Sequence, residues 1–456
     1  MKKNKIIPFL SLLLMSLIFT SCDDTLDINT DPLAATSADP NALLPYVFVQ
    51  YSARKVSELG TRICDVSQYI SNTFNSPNRG NVSSFLTGNT WNMMYTQVLG
   101  NLTLVKAEAE AAGPTSNNVN ALATILIAHI FYEATSLWED IPYTEALDGI
   151  GFPNPKFDDQ ETVLNGVVTM YDEAISLIDA MPATGNFIIS EESDMFYGGN
   201  MNAWRVFANS LKLRALMMLK SGGANVDTQI NATLGQPLME SNDQSAFLDY
   251  SGSPGAQNAM QTIITAFFGA DNESQDVFGP GDPIVALLDG SGDPRWDLWV
   301  ARNNLPAPGN DLFPDPTTSV LSNNVIRADL PDMLMMPAEI DLYKAQLALQ
   351  GYGAAGNAQT NYKNGVRKNI YSSNFREFTE TINQNDTWII PQSYYINEGK
   401  TNTKEVSFIG RYENLLEDHQ KKQGSLLKYI LVKTNILNLQ NSKLLRRKLI
   451  QQLILQ

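Results

Sequence analysis

Residues 118–147 read NVNALATILIAHIFYEATSLWEDIPYTEAL, and this stretch decides the fold. Its first part, residues 118–138, is apolar nearly all round, which is typical of a helix that is buried on most sides. Glu139 and Asp140 follow, and the proline after Ile141 breaks the helical pattern. We therefore expect a central core helix that ends in a turn.

Helical patterns continue on both sides of this stretch. They cover residues 43–70, 91–112, 159–178 and 337–349, and Asn202 is expected to cap a further helix. Helices joined by short links favour a mainly α-helical fold. Paired helices would form an α-solenoid base like that of tetratricopeptide repeats, although the chain shows no strict repeat period.

Two segments lack this helical periodicity. Residues 71–90 are rich in Asn, Ser and Gly, and they are predicted to form a long loop. Residues 223–335 are rich in Gly, Pro, Asn and Asp, with short apolar runs. We expect a loop-rich central region with a few short helices and strands.

The N-terminus has the layout of a lipoprotein signal peptide. Residues 1–21 join a lysine-rich start to an apolar run that is too short to span a bilayer, and Cys22 follows a small serine. Cys22 is the expected lipid attachment site; an ordinary secretory signal is the alternative. Asp23 and Asp24 open an acidic linker, residues 22–42, where they act either as a surface-export signal or only as solvated linker.

The net charge and the small numbers of cysteine and histidine exclude several classes of function. The chain of 456 residues has 32 Lys and Arg, 48 Asp and Glu, and a net charge of −16, so nucleic acid is not an expected partner. It has two cysteines and two histidines, too few for a disulfide framework, histidine-based zinc sites or a Ser-His-Asp triad. Cys64 and His129 are interpreted as buried core residues. Beyond the N-terminus, no second stretch is expected to span a membrane.

The last segment, residues 419–456, differs from the helical domain expected over residues 43–418. It has eight Lys or Arg and no Asp or Glu, whereas residues 22–418 are strongly acidic. A shifted reading frame or a truncated C-terminus explains this break, and a basic amphipathic helix for anionic lipid is the alternative. We expect this tail to lie outside the fold.

Five segments in order resemble the SusD/RagB family of outer-membrane nutrient-binding lipoproteins. They are the segments at residues 137–147 (LWEDIPYTEAL), 202–214 (NAWRVFANSLKLR), 293–295 (DPR), 336–345 (MPAEIDLYKA) and 362–366 (YKNGV). The resemblance covers roughly residues 1–415, but the helix with which the family usually closes is missing after Arg411. It implies tetratricopeptide-like helix pairs and no catalysis. It also implies a cell-surface, lipid-anchored lid on a SusC-like TonB-dependent outer-membrane transporter, which captures oligosaccharide or peptide.

Side chains suited to a glycan occur in both loop-rich segments. Aromatic faces stack on the C–H faces of sugar rings, while hydroxyls need amide or guanidinium partners. The candidates are Phe74, Asn75, Asn78, Arg79 and Phe85 in the first loop, and Trp296 in the central region. Helix spacing of Trp296 and Trp299 makes core packing the alternative for Trp296. Trp91, Trp138 and Trp204 are expected in the core.

Other function classes have weaker support. The carboxylate pairs Glu139–Asp140 and Glu191–Glu192 would serve a surface glycoside hydrolase, but no barrel pattern carries them. A structural or adhesive surface protein is a further alternative. Residues 289–293 resemble the start of a calcium loop, but Pro294 stands where an EF-hand needs glycine. No cofactor is expected, and a different structural calcium site stays open.

Overall fold

The computed structural model describes residues 39–55, 64, 69–72, 84–268, 278–281, 285, 296, 299–302, 319–322 and 326–369. The described residues from Pro40 onward belong to one unit. Cys22, Asp23, Asp24 and the tail 419–456 lie outside the described residues. The expectations about the signal peptide, the acidic linker and the tail therefore stay predictions.

Helices build the first half of the described chain. In chain order they are α1 (Pro40–Arg54), α2 (Ser84–Asn92), a π-helical segment (Met93–Leu99), α3 (Gly100–Ala112), a 3-10 turn (Pro114–Ser116), α4 (Asn117–Trp138), α5 (Gln160–Asp179), α6 (Met201–Gly222) and α7 (Asp227–Leu234). Consecutive helices from α3 to α7 pack on one another. The mainly helical, tetratricopeptide-like fold is confirmed.

Helix α4 lies at the centre of the core, as its all-round apolar sequence predicts. Nearly every residue of it is buried between α3, α5 and α6. Together with the preceding 3-10 turn it is long and apolar enough to cross a membrane, contrary to the expectation that no stretch beyond the N-terminus would be. Its burial inside the protein is that of a core helix.

The helix boundaries follow local capping chemistry. Asp159 begins α5, where its carboxylate accepts a hydrogen bond from Thr162 N at 2.8 Å. Asn200 caps α6, with its side-chain oxygen accepting from the backbone of Asn202 and Ala203. The prediction that Asn202 is the cap was therefore wrong by two residues, because the earlier asparagine reaches the free N–H groups of the first turn.

Short strands and further helices complete the described part of the fold. Helix α8 covers Ala259–Phe268, and helix α9 (Pro337–Leu349) is followed by a helical stretch at 358–369. The strands are β1 (Ile70–Asn72), β2 (Ile141–Pro142), β3 (Phe157–Asp158), β4 (Ala246–Leu248), β5 (Phe278–Pro280), β6 (Val300–Arg302), β7 (Ser319–Leu321) and β8 (Asp332–Met335). They pair antiparallel as β1–β5, β2–β3, β4–β8 and β6–β7.

The predicted loop at 71–90 is partly wrong. Its last seven residues belong to α2, which begins at Ser84 and runs without a break through the π-helical segment into α3. The backbone of Asn92 and Gly100 is helical at both junctions. Asparagine, serine and glycine mislead a sequence-based assignment here, because packing of the helix overrides their weak helix propensity.

Two of the singled-out core residues behave as expected and one does not. Trp204 is fully buried, and its indole Nε1 donates to Asp194 Oδ2 at 2.7 Å. His129 is fully buried, with its Nε2 3.1 Å from the Tyr51 hydroxyl. Cys64 is only half-buried, so the expectation of a buried position was wrong. Its carbonyl accepts from Tyr69 N at 2.8 Å.

A buried ion pair fastens α9 to α6. Arg214 Nε donates to Glu339 Oε1 at 2.7 Å, and Arg214 Nη2 donates to Glu339 Oε2 at 2.6 Å and to the Leu334 carbonyl at 3.0 Å. The Tyr343 hydroxyl donates to Glu339 Oε1 at 2.7 Å. The guanidinium thus satisfies a carboxylate and a strand-end carbonyl at once, and it ties the second half of the chain to the helical base.

Candidate ligand-binding surface

Most of the predicted ligand-binding residues lie outside the described residues. This holds for Phe74, Asn75, Asn78 and Arg79. Phe85 belongs to α2, but its side chain is not described. The role of this segment in binding stays a prediction.

Trp296 is described, and its surroundings favour the packing alternative. Its side chain is 8% exposed and forms a small apolar cluster with Val300, against which Val285 and Trp299 pack. Most of the ring therefore faces other side chains of the protein. This position does not test the prediction that Trp296 binds a ligand. For a sugar to stack on Trp296, the ring would have to turn outward.

A group of aromatic rings includes residues that directly follow the loop predicted at 71–90. We call Trp91, Tyr95, Trp138 and Phe157 the aromatic shelf. The Trp91 ring is stacked on Tyr95, with centroids 4.6 Å apart and planes at 29°, and it lies nearly parallel to Phe157 at 6.1 Å and 18°. Trp138 meets Trp91 edge-on at 5.1 Å and 82°. Two parallel partners and one perpendicular partner hold the indole in a single orientation.

Four elements bring these rings together. Trp91 comes from the last turn of α2, and Tyr95 from the π-helical segment, a rare conformation that occurs often at functional sites. Trp138 ends α4. Phe157 is placed by strand β3, where it pairs with Pro142 of β2.

Tyr95 also contacts the strand pair β2–β3, which carries Phe157. Its hydroxyl donates to the Pro142 carbonyl at 2.8 Å. Burial raises the pKa of Tyr95 well above its usual value, so the hydroxyl keeps its proton and remains a donor at all physiological pH values. This hydrogen bond links the π-helical segment to strand β2.

The outer ring of the shelf is open to solvent. Phe157 is 63% exposed, although apolar side chains of this size are usually covered in a soluble domain. Asn92 and Thr96 are exposed on the helix that carries Trp91 and Tyr95, and they offer an amide and a hydroxyl. A flat, rigid ring face with polar groups nearby suits a ligand that has both C–H faces and hydroxyls.

Sequence reasoning missed Phe157 and assigned Trp91 and Trp138 to the core. Both tryptophans are only partly buried, whereas Trp204 is fully buried as expected. One signal was available for the phenylalanine. It stands beside Asp158 between the proline-rich segment 153–155 and the capped start of α5, a position typical of a short exposed strand.

The carboxylates considered for hydrolysis do not belong to a metal-binding cluster within the described residues. Glu139 stands at the C-terminal end of α4, and Glu191 and Glu192 lie exposed in a turn. Within the described residues, no three His, Cys, Asp or Glu side chains come close enough to hold a metal ion.

Comparison with known proteins relates the chain to one family. Residues 32–420 match a family model described as SusD-like, starch-binding and associating with the outer membrane. A search of curated proteins gave no match.

Solved structures are similar over most of the chain. A chitin-binding SusD homolog from Flavobacterium johnsoniae is 20% identical, with a TM-score of 0.61 over 74% of this chain and 71% of that one. A SusD-like protein from Bacteroides thetaiotaomicron is 22% identical, with a TM-score of 0.59 over 74% and 70%. At this identity the similarity shows the fold.

Proposed function

The chain belongs to the SusD-like family of starch-binding proteins that associate with the outer membrane, and we propose that it captures glycan at the cell surface and delivers it to a TonB-dependent transporter. Members of the family are non-catalytic, so the chain is not an enzyme. Peptide is the alternative ligand. The proposed ligand is an oligosaccharide, the proposed partner is a SusC-like β-barrel, and the proposed membrane anchor is lipid on Cys22.

The observation that carries the proposal is the aromatic shelf. Its exposed ring, Phe157, is held in place before any ligand arrives, so little conformational entropy is lost on binding. No metal cluster or catalytic group lies among the described shelf residues, and stacking with hydrogen bonding is what the shelf can offer. The predicted residues Phe74, Asn75, Asn78, Arg79 and Phe85 precede Trp91 in the chain, and we propose that they extend the same surface.

Replacing Phe157 by alanine is expected to weaken glycan binding about 3- to 10-fold. Loss of one aromatic stacking partner costs about 0.5–1.5 kcal/mol beyond the lost area, and 1.4 kcal/mol is tenfold in affinity. Isothermal titration with soluble starch and with chitin oligosaccharides measures the change. Because Trp91 lies against Phe157, tryptophan fluorescence reports the same event.

The matched control for this experiment is Phe152→Ala. Phe152 is also an exposed phenylalanine, at 43%, but it makes no ring contact with the shelf among the described residues. Its replacement should leave glycan affinity unchanged. Equal affinity of wild type and Phe157→Ala would remove the shelf from the binding surface, and no binding of any glycan or peptide by the wild type would refute capture itself.

Replacing Cys22 by alanine is expected to release the chain from the membrane. An acyl chain holds a protein at a bilayer by burying methylene groups, each contributing about 0.8 kcal/mol, and without Cys22 no acyl chain can be attached there. Detergent phase partitioning and the mass of the processed chain measure the effect. Cys64→Ala retains Cys22 and serves as the control, and unchanged partitioning of Cys22→Ala would exclude the anchor.

A further inference from the structure

One residue beside the aromatic shelf has a backbone conformation that its residue type disfavours. Glu139, the C-cap of α4, directly follows Trp138 of the shelf and has φ = 66° and ψ = −99°. Among the described residues, only Leu147 also has a positive φ without being glycine. A β-carbon makes this conformation costly, and at this ψ the residue lies outside even the small left-handed helical region. Glycine would adopt the same turn at little cost.

Backbone hydrogen bonds hold this turn in its strained form. Glu139 N donates to the Thr135 carbonyl at 2.9 Å, and the Thr135 hydroxyl donates to the Glu139 carbonyl at 2.6 Å. Gln160 Nε2, at the start of α5, donates to the same Thr135 carbonyl at 2.7 Å. At position 139 these contacts involve only backbone atoms, so they would be the same with glycine. They explain the shape of the turn but not the glutamate.

The charge of Glu139 is a second unfavourable feature. The residue stands at the C-terminal end of α4, a helix of 22 residues, where the free carbonyl groups carry a partial negative charge that repels an anion. Its side chain is partly exposed and makes no hydrogen bond or ion pair within the residues that the structure describes. Strain that no internal contact offsets is typical of functional sites.

We propose that Glu139 contacts the ligand at the rim of the aromatic shelf, where its carboxylate accepts hydrogen bonds from hydroxyl groups of the captured glycan. This inference rests on the proposed function, since it takes the shelf as the glycan-binding surface. A carboxylate offers only acceptors, and its hydrogen bonds are stronger than those between neutral groups. The position suits this role, because Trp138 precedes Glu139 and strand β2, which pairs with the strand of Phe157, begins two residues after it.

The negative charge at this rim also selects among sugars. The end of α4 and the Glu139 carboxylate favour hydroxyl or ammonium donors and disfavour the carboxylate of a uronic acid. Residues 139–158 contain a single basic residue, Lys156, which is 57% exposed and lies 3.2 Å from the carboxylate of Asp158. That carboxylate balances the lysine locally. The expected ligand is therefore a glycan of neutral or amino sugars.

The test combines glycan titration with thermal unfolding of the full-length chain. Glu139→Ala removes the carboxylate but keeps a β-carbon. It should weaken binding about tenfold for whichever of soluble starch and chitin oligosaccharides the wild type binds, with an equal or higher melting temperature. Glu139→Gly also relieves the backbone, so it should lose as much affinity and raise the melting temperature by about 2 °C or more. A residue with only a structural role would not lose affinity while the protein gains stability.

Leu147→Gly is the matched control, because Leu147 has a positive φ of 67° but does not belong to the shelf. Its replacement should leave glycan affinity unchanged, and a loss equal to that in Glu139→Gly would overturn the proposed contact. Wild-type affinity in Glu139→Ala would also overturn it. So would a lower melting temperature of Glu139→Ala, because the carboxylate would then have its partner within the protein.

Glu139→Gln tests the selection by charge, since it keeps the size of the side chain. The wild type should bind oligogalacturonate at least about tenfold more weakly than its neutral glycan, and Glu139→Gln should narrow this ratio. Equal ratios in the two proteins overturn the selection.

Phe157→Ala separates this inference from the proposed function. Weaker binding in Phe157→Ala together with wild-type affinity in Glu139→Ala overturns the role of Glu139 and leaves glycan capture at the shelf intact. A wild type that binds no glycan overturns both.

Discussion

Replacing Arg214 by methionine is expected to lower the free energy of unfolding by about 3 kcal/mol. Removing one partner of a buried ion pair costs about 3–5 kcal/mol, because the other charge is left without compensation. The side chain of Arg214 is 11% exposed and that of Glu339 is 27%, so water reaches the carboxylate partly and the lower end of the range applies. The Leu334 carbonyl also loses its donor. Urea unfolding at neutral pH measures the loss.

Two further variants make this prediction specific. Lys212→Met removes an ion pair of the same helix whose partner, Asp172, is 56% exposed, and it should cost less than about 1 kcal/mol. The double variant Arg214→Met with Glu339→Met should regain much of the stability, because two apolar side chains replace the pair without a stranded charge. A loss in Arg214→Met no larger than that in Lys212→Met would contradict the assignment of this pair as the fastening between α6 and α9.

Much of the helical fold could be predicted from periodicity alone. The apolar stretch that became α4 and the proline-initiated helix α9, Pro337–Leu349, have the positions expected from the sequence. Both depend on local rules, namely apolar spacing, proline at the first turn and glycine after the end. The pairing of Arg214 with Glu339 could not be predicted, since 125 residues separate them in the chain.

The aromatic shelf was only partly predictable, because its residues also come from separate parts of the chain. Sequence analysis assigned Trp91 to the core because tryptophan in a helical pattern is usually buried. The structure packs it against the core but leaves it partly exposed, and its stacking partner Phe157 comes from a strand that periodicity cannot detect in two residues. Trp296 was a candidate through its residue type alone, and type does not reveal the apolar neighbours that cover it.

His129 is the buried group with the clearest link between structure and pH. Its ring lies fully inside the core, with Tyr51 edge-on at 5.8 Å. Burial lowers its pKa well below the usual 6.5, and the positive charges of Arg214 and Lys55 lower it further, against a smaller opposing effect of Glu339. The imidazole is therefore neutral in the folded protein at a pH where the unfolded chain is already protonated.

This difference predicts a loss of stability as the pH falls below about 6.5. Since the unfolded chain then binds one proton more than the folded protein, the free energy of unfolding decreases by about 1.4 kcal/mol per pH unit. The contribution is fully present above pH 6.5 and is lost progressively below it. Ordinary carboxylates titrate below about 4.5, whereas burial raises the pKa of Asp341, so a variant that cannot titrate at position 129 is needed to isolate the histidine between pH 6.5 and 5.

Replacing His129 by glutamine, which keeps a polar group near Tyr51 but cannot titrate, should remove this slope. Urea unfolding at pH 8, 6.5, 5.75 and 5 should show the wild type losing about 2 kcal/mol over the acidic interval and the variant losing much less. His419→Gln is the control, because that histidine belongs to the tail that we predict to lie outside the fold. Parallel pH profiles of wild type and His129→Gln would mean that the folded protein protonates His129 as easily as the unfolded chain does.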